Sequence, residues 1–311
     1  MRELVITRHN ELVDPILHVW GWEIPVYLFL GGWVAGMMII TGYFLLKGRH
    51  VERSCVCSVL PGLSLVMLSL GMFALFLDLE HKLYTWRLYT TFEVASPMSW
   101  GAWILVLVYP VLALAALARA PEILRDLFPI VDRAARAVSG SARTVHALGA
   151  AAIVMGVLLG IYTGILLSAL GARPLWSSAL LGPLFLLSGL SSAAAFTHLV
   201  AREVGERVLL AKADNVFLGI ELFVVALFLI GLLSSSQAHI EAARLLLGGP
   251  YTAVFWVFVV LLGIVIPLGI QMLAVTHRIQ HTPVAPLMVL GGGLALRFVI
   301  VYAGQASRWI G

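Results

Sequence analysis

Long apolar segments separated by short polar connections dominate the pattern along this chain. Each segment holds about 20 consecutive, mostly apolar residues, the length that an α-helix needs to cross the hydrocarbon core of a bilayer. None of the segments alternates apolar and polar residues, as the strands of a membrane barrel do. The pattern predicts an all-α membrane protein, a single polytopic domain over 1–311 with eight spans at about 24–46, 56–78, 98–118, 146–170, 178–201, 212–233, 251–275 and 284–304.

The composition agrees with this pattern and excludes several other classes of protein. Of the 311 residues, 61% are hydrophobic and only 12% are charged, whereas about one-quarter are charged in a soluble domain. The first ten residues are polar and charged, which is not typical of a signal peptide, so we expect the first span to be retained. No basic stripe with interleaved aromatic residues occurs, so we expect no nucleic-acid partner.

The distribution of Lys and Arg predicts the orientation in the membrane. The connections that follow the odd-numbered spans hold twelve of these residues, and the connections and tails on the other side hold seven. Because positive charge favours the cytoplasmic side, we expect both termini to face the periplasm, with the protein in the inner membrane. The longest connection, 119–145, mixes charged and apolar residues in a way that favours a surface helix.

Four ionisable side chains fall within or at the ends of the predicted spans. Ionised groups in a bilayer cost several kcal/mol unless they are paired or hydrated, so each is a functional candidate. Glu23 opens the first span and Asp78 closes the second, Glu221 lies near the middle of the sixth, and Arg297 lies in the eighth. Glu221, Arg297 and His198 of the fifth span are candidates for a proton path through the membrane.

The predicted topology gathers several polar and aromatic groups at one membrane face. Glu23, Asp78 and His81 lie at the outer face, Tyr162 lies about two turns from the outer end of the fourth span, and Trp176 is in the next connection. Phenol and imidazole groups can donate to the carbonyl oxygens of a quinone, and carboxylates can exchange its protons with water. The set therefore favours a quinone site at the outer face.

Plainer interpretations of the same residues stay open. Trp20 and Trp22 are also typical of interfacial aromatic belts. Asp78 or Glu23 could form a structural pair with Lys82 or Arg297. A secondary transporter with carboxylates near the midplane is an alternative function, although no clear inverted repeat is visible. A purely structural anchor is a third possibility.

The sequence offers few of the cysteine and histidine ligands that a redox metal centre needs. Two cysteines, Cys55 and Cys57, are too few for an iron–sulfur cluster, which usually has four thiolate ligands. A haem within a helix bundle needs paired axial histidines, and only His198 sits clearly within a span. We therefore expect neither haem nor cluster here, and any cluster would belong to a partner.

Four stretches of the sequence resemble the NrfD/PsrC family, the membrane subunits of polysulfide-reductase-like complexes. The most specific is Ser-Pro-Met-Ser-Trp-Gly-Ala-Trp at 96–103. The others are 22–36, 162–176 and 297–305. The resemblance implies eight helices in two four-helix bundles, no haem, and a menaquinone or ubiquinone site near the periplasmic face. It also implies a ferredoxin-like iron–sulfur partner, which leads to a molybdopterin or multihaem catalytic subunit in anaerobic respiration.

The same resemblance bears on individual site residues. Tyr162 matches the tyrosine that contacts quinone in the family, and Asp78 matches a recurrent acidic position at the end of the second helix. The family's histidine on the first helix falls near Tyr27 here, so this sequence departs from that pattern. Tyr27, Glu23 or His18 could take its place.

Together these observations predict a subunit of an oxidoreductase complex whose terminal chemistry lies on another polypeptide. Tyr162 would donate a hydrogen bond to one quinone carbonyl, and Trp100 would line the cleft. Glu23, Asp78 and His81 would transfer the protons.

Overall fold

The computed structural model describes residues 19–48, 55–118, 120, 122–169, 171, 173–201, 203–276 and 282–309. Within these residues all regular elements are helical, and eight helices are long and apolar enough to cross a bilayer. The prediction of an all-α membrane protein with eight spans is confirmed.

The helices follow one another with short connections. In sequence order they are α1 (Glu23–Leu46), α2 (Cys55–Asp78), a 3-10 turn (Lys82–Tyr84), α3 (Arg87–Thr90), α4 (Pro97–Ala118), α5 (Glu122–Leu127), α6 (Pro129–Ser139), α7 (Ala142–Ala169), α8 (Leu181–Val200), α9 (Val204–Leu233), α10 (Gln237–Leu247), α11, which is π-helical over Val254–Val265 and α-helical over Ile266–Val275, and α12 (Val284–Ala306). The spans are α1, α2, α4, α7, α8, α9, α11 and α12.

The spans pack as two rings of four helices. In the first ring α1 contacts α2, α2 contacts α4, α4 contacts α7, and α7 returns to α1. In the second, α8, α9, α11 and α12 close a ring in the same way. The rings meet where α1 and α7 contact α8 and where α1 contacts α12. We call the membrane face at which α1 begins and α12 ends the terminal face, and the other the opposite face.

The sixth span starts earlier than the sequence pattern indicated. We expected it to begin near 212, but α9 begins at Val204. Residues 204–214 include Glu206, Arg207, Lys212 and Asp214, and these charges hide the start of the span when only apolar residues are considered. The structure buries Glu206 completely inside the protein, so the polar first turns of α9 face the interior as well as the surface.

A surface helix does occupy the longest connection. The α6 helix places Ala135 against the bundle and exposes Ile130. On its polar side, the guanidinium of Arg136 binds the carboxylate of Asp132 at 2.5 Å, and Arg125 lies 3.5 Å from the same carboxylate. The mixed composition of this stretch therefore produces an amphipathic helix at the opposite face.

Glycines allow α1 to approach both α7 and α8 at the level of the backbone. A Cβ atom at Gly36 would overlap the carbonyl oxygen of Gly189 and would lie 2.6 Å from the Cβ of Ala193. A Cβ at Gly42 would lie 2.5 Å from the carbonyl oxygen of Gly149. Membrane helices associate largely through close packing of this kind, because lipid supplies no hydrophobic drive between them. We call these contacts the glycine contacts of α1.

We expect Gly36→Ala to destabilise the protein by about 1–3 kcal/mol, the usual cost of overpacking, because the added methyl group has no space against α8. The matched control is Gly219→Ala, at an exposed position of α9 where an added Cβ would meet nothing within 4 Å. The measurement is the thermal unfolding midpoint of each purified variant in detergent. Equal midpoints for the two variants would contradict this role of the glycine contacts.

Candidate functional site

Two carboxylates meet at the terminal face. Glu23 is the first residue of α1 and Asp78 is the last residue of α2, and their carboxyl groups interact electrostatically. Both side chains are half-buried. The carboxylate of Glu23 folds back over Gly21, in space that a Cβ there would occupy. The structure therefore brings together the two acidic residues that the sequence placed at this face.

A hollow of about 870 Å³ opens beside this carboxylate pair. Its described lining comprises Val19 and the stretch 77–84, which includes Asp78 and His81. The imidazole of His81 is exposed, and its ring centroid lies 6.5 Å from that of Tyr84. Two acids, Asp78 and Glu80, and one imidazole therefore share a water-accessible space at this face.

Buried phenols lie deeper in the first ring. Tyr27, one turn into α1, and Tyr162 of α7 are only 4% and 5% exposed. The phenol of Tyr27 lies near those of both Tyr162 and Tyr89 of α3. The phenol of Tyr162 lies directly over Gly101 of α4, where any Cβ would overlap the ring and its hydroxyl. Gly101 is therefore what makes room for Tyr162 in this position.

Tyr89 was not singled out from the sequence, because it lies in a connection without a motif of its own. The short helix α3 contacts α4 and carries this half-buried phenol toward the interior of the first ring. Burial raises the pKa of Tyr89, and the nearby Tyr109 raises it further. The phenol therefore stays protonated at neutral pH and is available as a hydrogen-bond donor.

The stretch at 96–103 ties the connection before α4 to the start of that helix. Ser99 accepts a hydrogen bond from the amide of Glu93 at 3.0 Å, and its hydroxyl donates to the carbonyl of Thr91 at 3.3 Å. The indole of Trp100 donates to the carbonyl of Val94 at 2.8 Å and is exposed. Trp100 thus lies at the rim of the first ring, and it is not among the described residues that line the hollow.

The connection between α7 and α8 is hydrogen-bonded to the C-terminal end of α12. The guanidinium of Arg173 donates to the carbonyl of Ser307 at 2.8 Å, and the indole of Trp176 donates to that of Ile300 at 2.9 Å. Trp20 stacks on Trp176 with ring centroids 5.1 Å apart. Gln305 accepts from the amide of Trp20 and donates to its carbonyl, both at 3.0 Å. These groups therefore fix the segment that leads into α1.

A second polar cluster lies inside the second ring. The guanidinium of Arg297 is fully buried and donates to the carbonyl of Phe185 at 2.8 Å, while lying 4.4 Å from the centre of the Phe185 ring. Arg297 interacts electrostatically with Glu221, whose carboxyl group is hydrogen-bonded to Ser188. A Cβ at Gly32 of α1 would lie 3.0 Å from the guanidinium, so Arg297 reaches the boundary between the rings.

The sequence pattern did not reveal one buried carboxylate of this cluster, which accepts two side-chain hydrogen bonds. Asp214 is fully buried; the hydroxyl of Ser191 donates to it at 2.7 Å and the amide of Gln271 at 2.6 Å. Asp214 also interacts electrostatically with Glu221, seven residues further along α9. The seven-residue spacing of two acids, which puts both on one helix face, was the signal that could have revealed it.

The remaining predicted site residues lie apart from these groups or outside the described residues. His198 is buried near the end of α8, toward the opposite face, seven residues beyond Ser191 on the same helix. His18 lies outside the described residues. Within the parts of the sequence that the structure describes, no group of three or more His, Cys, Asp or Glu side chains could hold a metal ion.

The structure therefore separates two kinds of chemistry. The terminal face combines solvent-accessible carboxyl and imidazole groups with buried phenols behind them. The second ring holds buried ionisable groups whose carboxyl groups are hydrogen-bonded to hydroxyl and amide groups, an arrangement that can hold a proton away from lipid.

Comparison with known proteins identifies the family. The family model described as "Polysulphide reductase, NrfD" matches residues 7–307. The C subunit of polysulfide reductase from Wolinella succinogenes is 30% identical over 305 residues, which cover 92% of the present sequence and 94% of that protein. Protein NrfD of Escherichia coli is 32% identical over 313 residues, which cover 93% and 96%. Matches of this length and identity show that this multi-pass membrane protein belongs to the NrfD family.

Proposed function

We propose that this protein is the quinone-binding membrane subunit of a respiratory oxidoreductase complex. The observation that carries the proposal is the convergence of Glu23, Asp78 and His81 at one face, with the phenols of Tyr27 and Tyr162 behind them. The hollow, at about 870 Å³, lies within the range of about 300–1,000 Å³ that is typical of ligand sites. The relatives named for polysulfide reductase and NrfD support the same assignment.

The donor set fits menaquinone or ubiquinone. A bound quinol supplies two electrons and two protons on oxidation, and the reverse reaction consumes them. The phenols of Tyr162 and Tyr27 would donate hydrogen bonds to the carbonyl oxygens, since a buried phenol keeps its proton. Asp78 and Glu23 would exchange protons with His81 and with water in the hollow. Trp100 would border the head group from the rim of α4. His18 directly precedes Val19 in the sequence, and Val19 lines the hollow.

The excess of Lys and Arg on the opposite side supports a periplasmic terminal face. In the positive-inside orientation, the connections after α1, α4, α8 and α11 are cytoplasmic. The protein would then lie in the inner membrane with both termini in the periplasm, and the protons of quinol oxidation would leave toward the periplasm.

Electrons need an acceptor on another subunit, and the terminal face offers a surface for one. Large apolar side chains, among them Leu83, Trp86, Phe92 and Val94, are more than half exposed on the connection between α2 and α4. Exposed apolar patches of this kind mark sites of protein interaction. We propose that a ferredoxin-like iron–sulfur subunit docks here and passes electrons to or from a molybdopterin or multihaem catalytic subunit.

A second function, proton transfer through the second ring, is favoured by the buried cluster. Glu221 interacts electrostatically with both Asp214 and Arg297. Ser188 is hydrogen-bonded to Glu221, and Ser191 and Gln271 are hydrogen-bonded to Asp214. His198 lies further along α8 toward the opposite face. Such groups inside a membrane typically belong to proton relays. We propose that the cluster carries protons between the opposite face and the middle of the membrane.

We expect Tyr162→Phe and Asp78→Asn each to lower quinol-linked turnover of the whole complex by about tenfold or more, because general acid–base groups typically contribute 10²–10⁴-fold. Turnover with an artificial electron donor to the catalytic subunit should stay unchanged. The matched control is Tyr302→Phe, which removes a phenol from α12 in the second ring. Unchanged quinol-linked turnover in both site variants would refute the assignment, and solute uptake by this subunit alone would favour a transporter.

We expect Gly101→Ala to reproduce the effect of Tyr162→Phe while Tyr162 is still present, because the added methyl group takes the space of the phenol. Gly62→Ala in α2 is the control, since an added Cβ there would meet nothing within 4 Å. The measurement is quinol-linked turnover in complexes of equal subunit content. Wild-type turnover in Gly101→Ala would mean that the position of Tyr162 over α4 does not matter for the reaction.

Asp214→Asn and Glu221→Gln should each abolish proton translocation in proteoliposomes of the whole complex but leave quinol-linked electron transfer within about twofold of wild type. Both variants keep the shape of the side chain and remove the titratable group. Glu241→Gln, an exposed carboxylate paired with Arg244 at 2.7 Å, is the control. Unaltered ratios of protons to electrons in both buried variants would eliminate the relay.

A further inference from the structure

A narrow groove near the opposite face lies between the two rings, at the junction of α1, α8 and α9. Its volume is about 290 Å³, and its lining is apolar except for the hydroxyl of one tyrosine. Residues from all three helices contribute: Ile39 and Tyr43 of α1, Leu190 and Ala194 of α8, and Leu209 and Phe217 of α9. It is far from the hollow at the terminal face, because α1 runs from one to the other.

The position and dimensions of the groove match one hydrocarbon tail. On α9 it extends from Leu209 to Phe217, about 12 Å along the helix axis at 1.5 Å per residue. The groove volume spread over that length leaves a cross-section of roughly 25 Å². This is wide enough for a single extended acyl tail. On α1 the groove extends to Phe44, within one turn of the end of the helix at Leu46.

Two positively charged side chains lie next to the groove. The ammonium group of Lys47 lies 5.9 Å from the centre of the Tyr43 ring, which lines the groove. Lys212 is exposed on the same turn of α9 as Leu209 and Ala213. Neither lysine forms an ion pair with another of the described residues. Cationic pockets between membrane helices bind anionic lipid head groups.

We propose that this groove is a binding site for an anionic phospholipid. One acyl tail lies between α1, α8 and α9, and the phosphate lies at Lys47 and Lys212. Two observations independent of each other lead to this occupant: an apolar groove one acyl tail wide, and two exposed cations, Lys47 one turn beyond it on α1 and Lys212 beside it on α9. The lipid would join the two rings where the glycine contacts of α1 leave a gap on the membrane side.

The test is native mass spectrometry of the complex after mild delipidation and re-addition of phosphatidylglycerol or phosphatidylcholine with matched acyl tails. The wild type should retain phosphatidylglycerol at least about fivefold more than phosphatidylcholine. Lys47→Gln combined with Lys212→Gln should remove this preference, whereas Lys82→Gln at the terminal face should keep it. These are exposed positions, so the variants should fold.

Filling the groove tests the acyl-tail site separately. Ala213→Leu should lower retention of phosphatidylglycerol about tenfold, whereas Val216→Leu, on the exposed side of the same helix, should leave it unchanged. Retention unaffected by Ala213→Leu and by the double lysine variant would overturn the proposal. A quinone retained in this groove in place of a phospholipid, and displaced by Ala213→Leu, would overturn it as well.

Discussion

The glycine contacts of α1 are the constraint on which both polar regions depend. Because Gly36 and Gly42 lack side chains, the backbone of α1 lies directly against α8 and α7. The contact of α1 with α7 places Tyr27 near Tyr162. The contact of α1 with α8 places Gly32 against the guanidinium of Arg297, which reaches from α12 to Phe185 of α8. Hydrocarbon offers no partner to a stray phenol or guanidinium. Close packing of the helix backbones therefore determines where the buried phenols and the guanidinium lie.

The two polar regions differ in how they meet water. At the terminal face, Glu23, Asp78 and His81 are half-buried or exposed, so protons can reach them from bulk solvent. In the second ring, Asp214 and Arg297 are fully buried: Asp214 accepts hydrogen bonds from a hydroxyl and an amide group, and Arg297 donates one to a backbone carbonyl of a neighbouring helix. This division suits a protein in which quinone chemistry occurs at one surface and proton movement, if coupled to it, occurs through the neighbouring ring.

The sequence predicted the spans and the shared location of Glu23 and Asp78 at one face, because apolar length and topology depend on order along the polypeptide. It could not predict that Tyr162 lies over Gly101, since that depends on the rotation of α7 against α4. It placed the start of α9 too late, and it missed Asp214, because charged residues near a helix end resemble a connection until tertiary contacts bury them. Trp176 looked like a site residue, but together with Arg173 it holds α12 in place, as only their hydrogen-bond partners reveal.

The most direct test of the quinone site is photoaffinity labelling of the intact complex with an azido-quinone, followed by peptide mapping. Our interpretation predicts that labels fall on residues 77–84 and on the segments around Tyr27 and Tyr162, and that excess natural quinol suppresses them. Labels confined to the groove at the opposite face, or to partner subunits alone, would contradict it.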